Sequence, residues 1–322
     1  MEKPSKSADT ALPPLSSQSI ILTGPTASGK STIALGIADR LNAEIVSLDS
    51  VAVYQGMDIG TAKPTPEQRN RVRHHMLDIV SPTTEFSVAN YLQHAHACVA
   101  DIESRGKRAL FVGGTPMYLK GALYGFDPGP PADWDFRRAV EADLARYGNQ
   151  ALHQRLQQVD PLSAHRLPPT DVRRITRALE VAYLSGVPIS HRQTQHESLP
   201  NEGAARLIGL SWPRKSLHAR IEHRVAEMFR SGLVDEVRQL MASHVALSRT
   251  AATAVGYREV IEHLRDDVPI KSTNQLVLFH TRQLARRQET WFRSMPMMAT
   301  ITMDDEAKFP DVEEKVVKLI GT

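Results

Sequence analysis

The sequence holds a single cysteine, Cys98. One thiol can form neither an intrachain disulfide nor a C-x-x-C metal knuckle. Such scarcity fits a reducing compartment, so a cytoplasmic location is expected. No apolar run approaches the roughly 20 residues that span a bilayer, and no membrane partner is expected. The first 18 residues are rich in Ser, Pro and Ala and lack the apolar stretch of a signal peptide, so they read as a disordered lead-in. No internal repeat and no long low-complexity segment occurs. Neither sign of charge dominates: 39 Lys and Arg face 36 Asp and Glu. Net charge therefore names no partner, and the distribution has to. The segment from His280 to Arg293 carries Arg282, Arg286, Arg287 and Arg293 against the single acid Glu289, and 69–75 (RNRVRHH) is also basic.

What is present is the texture of an α/β protein. Ser19–Thr23 (SIILT) is an apolar run ending at a glycine turn, which predicts a buried strand. Ser31–Leu41 predicts a helix, with Ile33, Ile37 and Leu41 on one face. Glu44–Leu48 and Ala109–Val112 predict further strands, separated by a helix over Ser87–Ser104, and Thr115-Pro116 starts another helix. Alternating strands and helices imply a parallel sheet covered on both faces. At Phe126–Pro131 (FDPGPP) the chain becomes a linker, and from Ala132 to about Tyr183 only helical stripes occur. A polar stretch, Ser190–Glu202, leads to a returning strand at Arg206–Trp212, and helices follow. The expected organisation is an α/β core domain of 19–125 and 206–322 interrupted by a helical insertion over 126–205.

Gly24-Pro25-Thr26-Ala27-Ser28-Gly29-Lys30-Ser31 fits G-x-x-x-x-G-K-[ST], and it lies between a predicted strand and helix, the context that validates a P-loop. Backbone amides and a helix N-terminus there face a phosphate cluster. Lys30 adds a point charge, and the Ser31 hydroxyl can reach a phosphate-bound Mg²⁺. The motif does not distinguish a nucleoside triphosphate from a diphosphate ester. Asp49 ends the second strand, and ligands of parallel sheets sit beyond the carboxyl ends of strands. It could act as a general base, hold a metal, bind a sugar hydroxyl, or simply cap a turn. Gly113-Gly114-Thr115-Pro116 ends a later strand on the same sheet edge. It could admit a ligand close to the backbone, or serve as a plain helix cap.

Taken together and in order, GPTASGKS, DSVAVYQGMDIGTAKP, GGTPMYLK, RRITRALEV, RIEHR, VGYRE and TRQLARRQETWFR resemble the tRNA dimethylallyltransferases, also called tRNA isopentenyltransferases. The resemblance runs from about Ile20 to Arg293. It implies a nucleotide-kinase-like P-loop core with a helical insertion. It implies transfer of a dimethylallyl group from dimethylallyl diphosphate to N6 of adenosine 37 of tRNA, with Mg²⁺, by a monomer that binds the anticodon stem-loop. The P-loop, Gly24 through Ser31, then holds the donor's diphosphate. Asp49 becomes the base, Arg224 an arginine acting on the diphosphate, and Thr115 a contact to the target nucleotide. Further tRNA contacts are implied at Ser50, Val51 and Ala52, at Arg137, Arg173, Arg174, Ile175, Thr176 and Arg177, at Thr253, Gly256, Tyr257 and Arg258, and at Arg286, Arg287, Gln288, Trp291 and Arg293. In that last segment the arginines suit phosphates and Gln288 a base edge, whereas Trp291 and Phe292 fit a core as readily as a stack.

Three other readings share parts of this pattern. A P-loop small-molecule kinase would consume ATP. A prenyltransferase acting on AMP or ADP would not need an anticodon-binding surface. An RNA-binding module with a vestigial P-loop would not need Lys30, Ser31 and Asp49 all intact.

Overall fold

The computed structural model describes residues 11–194, 206–295 and 299–321. The chain divides into two compact units, one formed by Leu15–Leu123 with Glu202–Thr322 and the other by Met1–Pro14 with Tyr124–Asn201.

In the larger unit, β1 (Ile20–Thr23) leads through the P-loop into α1 (Lys30–Ala38), followed by β2 (Ala43–Ser47), α2 (Pro66–Arg71), β3 (His74–His75), α3 (Val88–Ser104), β4 (Arg108–Val112) and α4 (Pro116–Tyr124). The smaller unit supplies α5 (Trp134–Val159), α6 (Pro161–Arg166), α7 (Val172–Ser185) and α8 (Ile189–Thr194). The chain then returns as β5 (Arg206–Ser211), α9 (Arg214–Arg230), α10 (Leu233–Ser243), α11 (Arg249–Ala252), α12 (Tyr257–Asp266), α13 (Ile270–Arg293), β6 (Ala299–Thr302) and α14 (Phe309–Ile320). Among the described residues no helix is long and apolar enough to cross a membrane.

The six strands run in the order β3-β2-β4-β1-β5-β6, and every pair is parallel. β1 lies inside the sheet, with Ile20 opposite Leu110 on one side and Arg206 on the other. All four of its residues are buried, as a strand covered on both faces requires. One face is closed by α1 and α14, whose Ile33, Ile37, Val312, Val316 and Ile320 join the core around Leu22, Leu110 and Ile208. The edge strands β3 and β6, and the helices α2 and α14, are additional to the predicted elements. β3 has only two residues, too few for any period to show.

The smaller unit has its own core of Val140, Leu152, Leu156, Ile175 and Leu179. α5 is broken at Gly148 (φ 77°), a backbone setting that favours glycine. Its two halves carry separate stripes for that reason. The expected disordered lead-in is corrected at its C-terminal end. Leu12 bridges Phe126 through two backbone bonds of 2.8 Å, both within the smaller unit. Leu15 is buried in the larger one. Residues 1–10 and 195–205, which take in the polar stretch from 195 to 202, lie outside the described residues.

Candidate active site

The P-loop leaves β1 at the carboxyl edge of the sheet and turns into α1 through Gly29 (φ 89°). Ala27 also has positive φ (63°), which costs a non-glycine residue about 1 kcal/mol or more. Three side chains from later elements hold this strained loop from outside. Thr26 donates its amide to Gln288 Oε1 at 2.9 Å, Arg220 Nε donates to the Ala27 carbonyl at 2.8 Å, and Trp212 Nε1 donates to the Ser28 carbonyl at 3.0 Å. The Arg220 guanidinium stacks 4.4 Å from the Trp212 ring centroid, so two of the three clamps brace each other.

Lys30 folds over the loop and donates to the carbonyls of Gly24 (2.8 Å) and Pro25 (2.7 Å). Burial brings its pKa down to about 7, the charge of Arg224 adds to the fall, and Asp49 opposes it. The guanidinium of Arg224 is likewise pushed down by burial and supported by Asp49. Two basic side chains and one carboxylate, from the start of α1, from α9 and from the loop after β2, thus share one electrostatic neighbourhood. By sequence alone Arg224 looks like a solvated helix charge; its burial comes from the docking of α9. Ser31 is exposed on the first turn of α1.

Asp49 Oδ1 accepts the amides of Val51 (2.8 Å) and Ala52 (3.2 Å), which fixes the carboxylate through one oxygen. Thr115 Oγ1 accepts the Ser50 amide at 3.1 Å. The Ala52 side chain is buried, so any contact it makes with a ligand is through its backbone. Beneath Asp49, Tyr91 and Tyr118 stack with ring centroids 3.8 Å apart, and Tyr91 donates its hydroxyl to the Ser47 carbonyl. Burial first, and the Asp49 charge among the lesser causes, pushes both phenols up.

Sequence reading missed the residues that build the next loop. Glu236 accepts the amides of Asp58 (2.9 Å), Ile59 (2.7 Å) and Gly60 (3.3 Å), together with the Tyr257 hydroxyl at 2.7 Å. Lys63, its side chain 2% exposed, donates to the Tyr54 carbonyl and pairs with Asp58 and Asp78. The loop so fixed presents the Thr61 carbonyl to Arg224 Nη2 at 3.2 Å. No local pattern marks Glu236, because its partners in the loop lie 176 to 178 residues away.

Several of the expected RNA contacts have partners within the protein. Tyr257 is fully buried and serves Glu236, and Gly256 donates its amide to buried Glu259. Arg258 pairs with Glu259 at 2.6 Å, while Thr253 stays exposed. Ile175 is a core residue of the smaller unit. Arg137 and Arg177 both bind Glu180, whose side chain is 0% exposed, at 2.8 and 2.6 Å. Arg177 also donates to the carbonyls of Pro128 and Pro130. These two arginines therefore hold the insertion together, and Glu180 is the reason. Arg173 and Arg174 are exposed and Thr176 is half-buried. Gln288 is 7% exposed and bonds both the Thr26 amide and the Gly114 carbonyl (2.8 Å), so its amide serves two backbone partners. On the same helix Arg286, Arg287 and Arg293 are exposed, Trp291 is half-buried and Phe292 is core.

Beside Pro25 a cavity of about 980 Å³ opens between the β5–α9 junction and α13. Arg214, Arg282, Arg286 and Arg293 line it together with Leu210, Phe279 and Phe292. His218 on its wall is pushed down by burial and by Arg282 and Arg214, as a concentrated positive field requires. Among the described residues no group of three His, Cys, Asp or Glu could hold a metal by itself.

The family model for IPP transferase matches residues 52–295. A tRNA dimethylallyltransferase of Rhodopirellula baltica is 51% identical over 317 residues, 96% of this chain and 95% of that protein. The crystal structure of the full-length tRNA isopentenylpyrophosphate transferase of Bacillus halodurans aligns with a TM-score of 0.67 at 34% identity, covering 94% of this chain and 96% of that one. A eukaryotic dimethylallyltransferase captured acting on tRNA aligns with a TM-score of 0.76, covering 89% and 74%; at 23% identity that likeness speaks for the fold. On the length and identity of these matches, the chain belongs to the IPP transferase family, the family of the tRNA dimethylallyltransferases.

Proposed function

We propose that the chain transfers a dimethylallyl group from dimethylallyl diphosphate to N6 of adenosine 37 in tRNA. The observation that carries this is the meeting of Lys30, Arg224 and Asp49 at the P-loop. The site offers two basic groups, both charged once a diphosphate is bound, and one carboxylate for a proton.

The adenine N6 lone pair is delocalised into the ring, so N6 attacks poorly while it keeps both protons. As N6 bonds to the allylic carbon, the carbon–oxygen bond to diphosphate breaks and the N6 protons become acidic. Asp49, held through Oδ1, offers Oδ2 to take one of them. The electron pair of the broken bond goes to the bridging oxygen, where P-loop amides, Lys30 and Arg224 stabilise the charge. A divalent ion, Mg²⁺ on this reading, fits only as a partner shared with the substrate. Ser31 would supply a hydroxyl and the diphosphate the remaining charge, and the bound ion would neutralise phosphate oxygens. A target base must leave its stack to reach Asp49. The exposed arginines of α13 and the basic cavity beside Pro25 suit the phosphates of an RNA loop.

The test is transfer of radiolabelled dimethylallyl diphosphate to unmodified tRNA bearing A at positions 36 to 38, with Mg²⁺. Wild type should label the tRNA, and Asp49→Ala should lose at least about 100-fold, the usual scale for a positioned base. ATP turnover without label would replace this reading with a kinase.

A further inference from the structure

We propose that Gln288 is a positioning residue that sets the spacing between the donor loop and the loop bearing the base. The inference rests on the transfer reading above.

Gln288 lies on the inner face of α13, 7% exposed. A buried amide must find partners for its donor and its acceptor. Here the two partners belong to different loops of the site. Oε1 accepts the Thr26 amide of the P-loop, and Nε2 donates to the carbonyl of Gly114. A side chain at Gly114 would displace Gln288. A Cβ there would stand 2.6 Å from Gln288 Nε2 and 3.0 Å from the Gly24 carbonyl oxygen. The connection continues on the far side. Thr115 donates its amide to the Leu48 carbonyl at 3.3 Å and accepts the Ser50 amide at 3.1 Å. These two bonds bracket Asp49. One side chain thus ties the loop that grips the diphosphate to the loop that aims the carboxylate.

The chemistry of the site selects an amide. A carboxylate would offer two acceptors and repel the Gly114 carbonyl, and an apolar chain would leave the Thr26 amide and the Gly114 carbonyl unpaired. Gln288 touches no reacting atom. Its effect is on the distance between groups that do, and misplacement by about 1 Å costs on the order of 100-fold in rate. Its neighbours Arg286 and Arg287 are exposed, so the helix that offers cations to RNA is pinned by its inner face to the donor loop.

The experiment compares wild type, Gln288→Met, Gln288→Glu and Gly114→Ala in the transfer assay. Pyrophosphate affinity by calorimetry and melting temperature are measured alongside. Gln288→Met should lower kcat on the order of 100-fold, weaken pyrophosphate binding, and leave KM for tRNA unchanged. Gln288→Glu, which loses the donor and sets a buried charge against the Gly114 carbonyl, should fall at least as far. Gly114→Ala should reproduce the Gln288→Met pattern by pushing the latch from the other side, and it carries the test should Gln288→Met fail to fold. Wild-type kcat per folded enzyme with only a lowered melting temperature would overturn the proposal, as would loss of tRNA affinity alone. Should wild type itself transfer nothing, the function reading fails separately, and pyrophosphate affinity then decides: weakened in the variants it sustains the latch, unchanged it removes it.

Discussion

Lys30 shows how much a single side chain carries here. An ammonium taken from water beside Arg224 holds its proton weakly, and its pKa falls to about 7 from the ordinary 10.5. Between those two values the unfolded chain binds the proton and the folded one does not. Stability from this group therefore rises with pH across that window and is lost as pH falls toward 7. A bound diphosphate reverses the local field and recharges the amine. At pH 8, Lys30 should take up most of a proton when pyrophosphate binds, and much less below pH 7. Calorimetry in buffers of different ionisation enthalpy reads that uptake. The uptake should be smaller by that amount in Lys30→Met, and equal uptake in wild type and Lys30→Met would rule out a neutral Lys30.

At the scale of the element, α13 sorts its side chains by face. Val277, Thr281, Ala285, Gln288 and Phe292 are buried, whereas Arg286, Arg287 and Arg293 are exposed. Removal of one exposed cation should remove one phosphate contact. Arg287→Ala should weaken tRNA binding, lower the salt slope by about 1, and leave pyrophosphate affinity unchanged. Filter binding across a salt series checks it, and a collapse of pyrophosphate affinity would put Arg287 in the donor site instead. This helix also marks how far the sequence could be read. Its apolar stripe and its arginines follow from local spacing, as do the P-loop, the inner strands and Asp49 at the end of β2. The burial of Gln288 does not, because a polar residue among arginines looks like surface and its partners stand 262 and 174 residues away. The same holds for Arg137 and Arg177. Whether an arginine meets RNA or a buried glutamate depends on which helix packs beside it, and α5 and α7 bring Glu180 there only in the folded unit. Glu236 and Lys63 escaped for the converse reason: each organises a loop whose sequence alone shows no need of a partner.

Over the whole molecule, each unit has its own core, so each should have its own stability. Glu180 tests the smaller one. Burial pushes its carboxyl up, but the bonds from Arg137, Arg177 and the Asp133 amide outweigh that and hold it below its ordinary range. Its contribution is present at neutral pH and lost as pH falls through that lowered pKa. Glu180→Ala leaves two guanidinium groups, 31% and 29% exposed, without their shared acid. Breaking a buried pair costs about 3 to 5 kcal/mol, and partial exposure of the arginines favours the lower end. Hydrogen exchange should therefore speed up across 134–185 while β1 and β4 keep wild-type protection. Pyrophosphate should do the opposite. At about 100 times its Kd it adds about 2.7 kcal/mol to whatever unfolds with the P-loop, slowing exchange there and not in α5 or α7. Equal changes in both units under either perturbation would mean that the chain unfolds as one body, and that the insertion and the P-loop core share their stability.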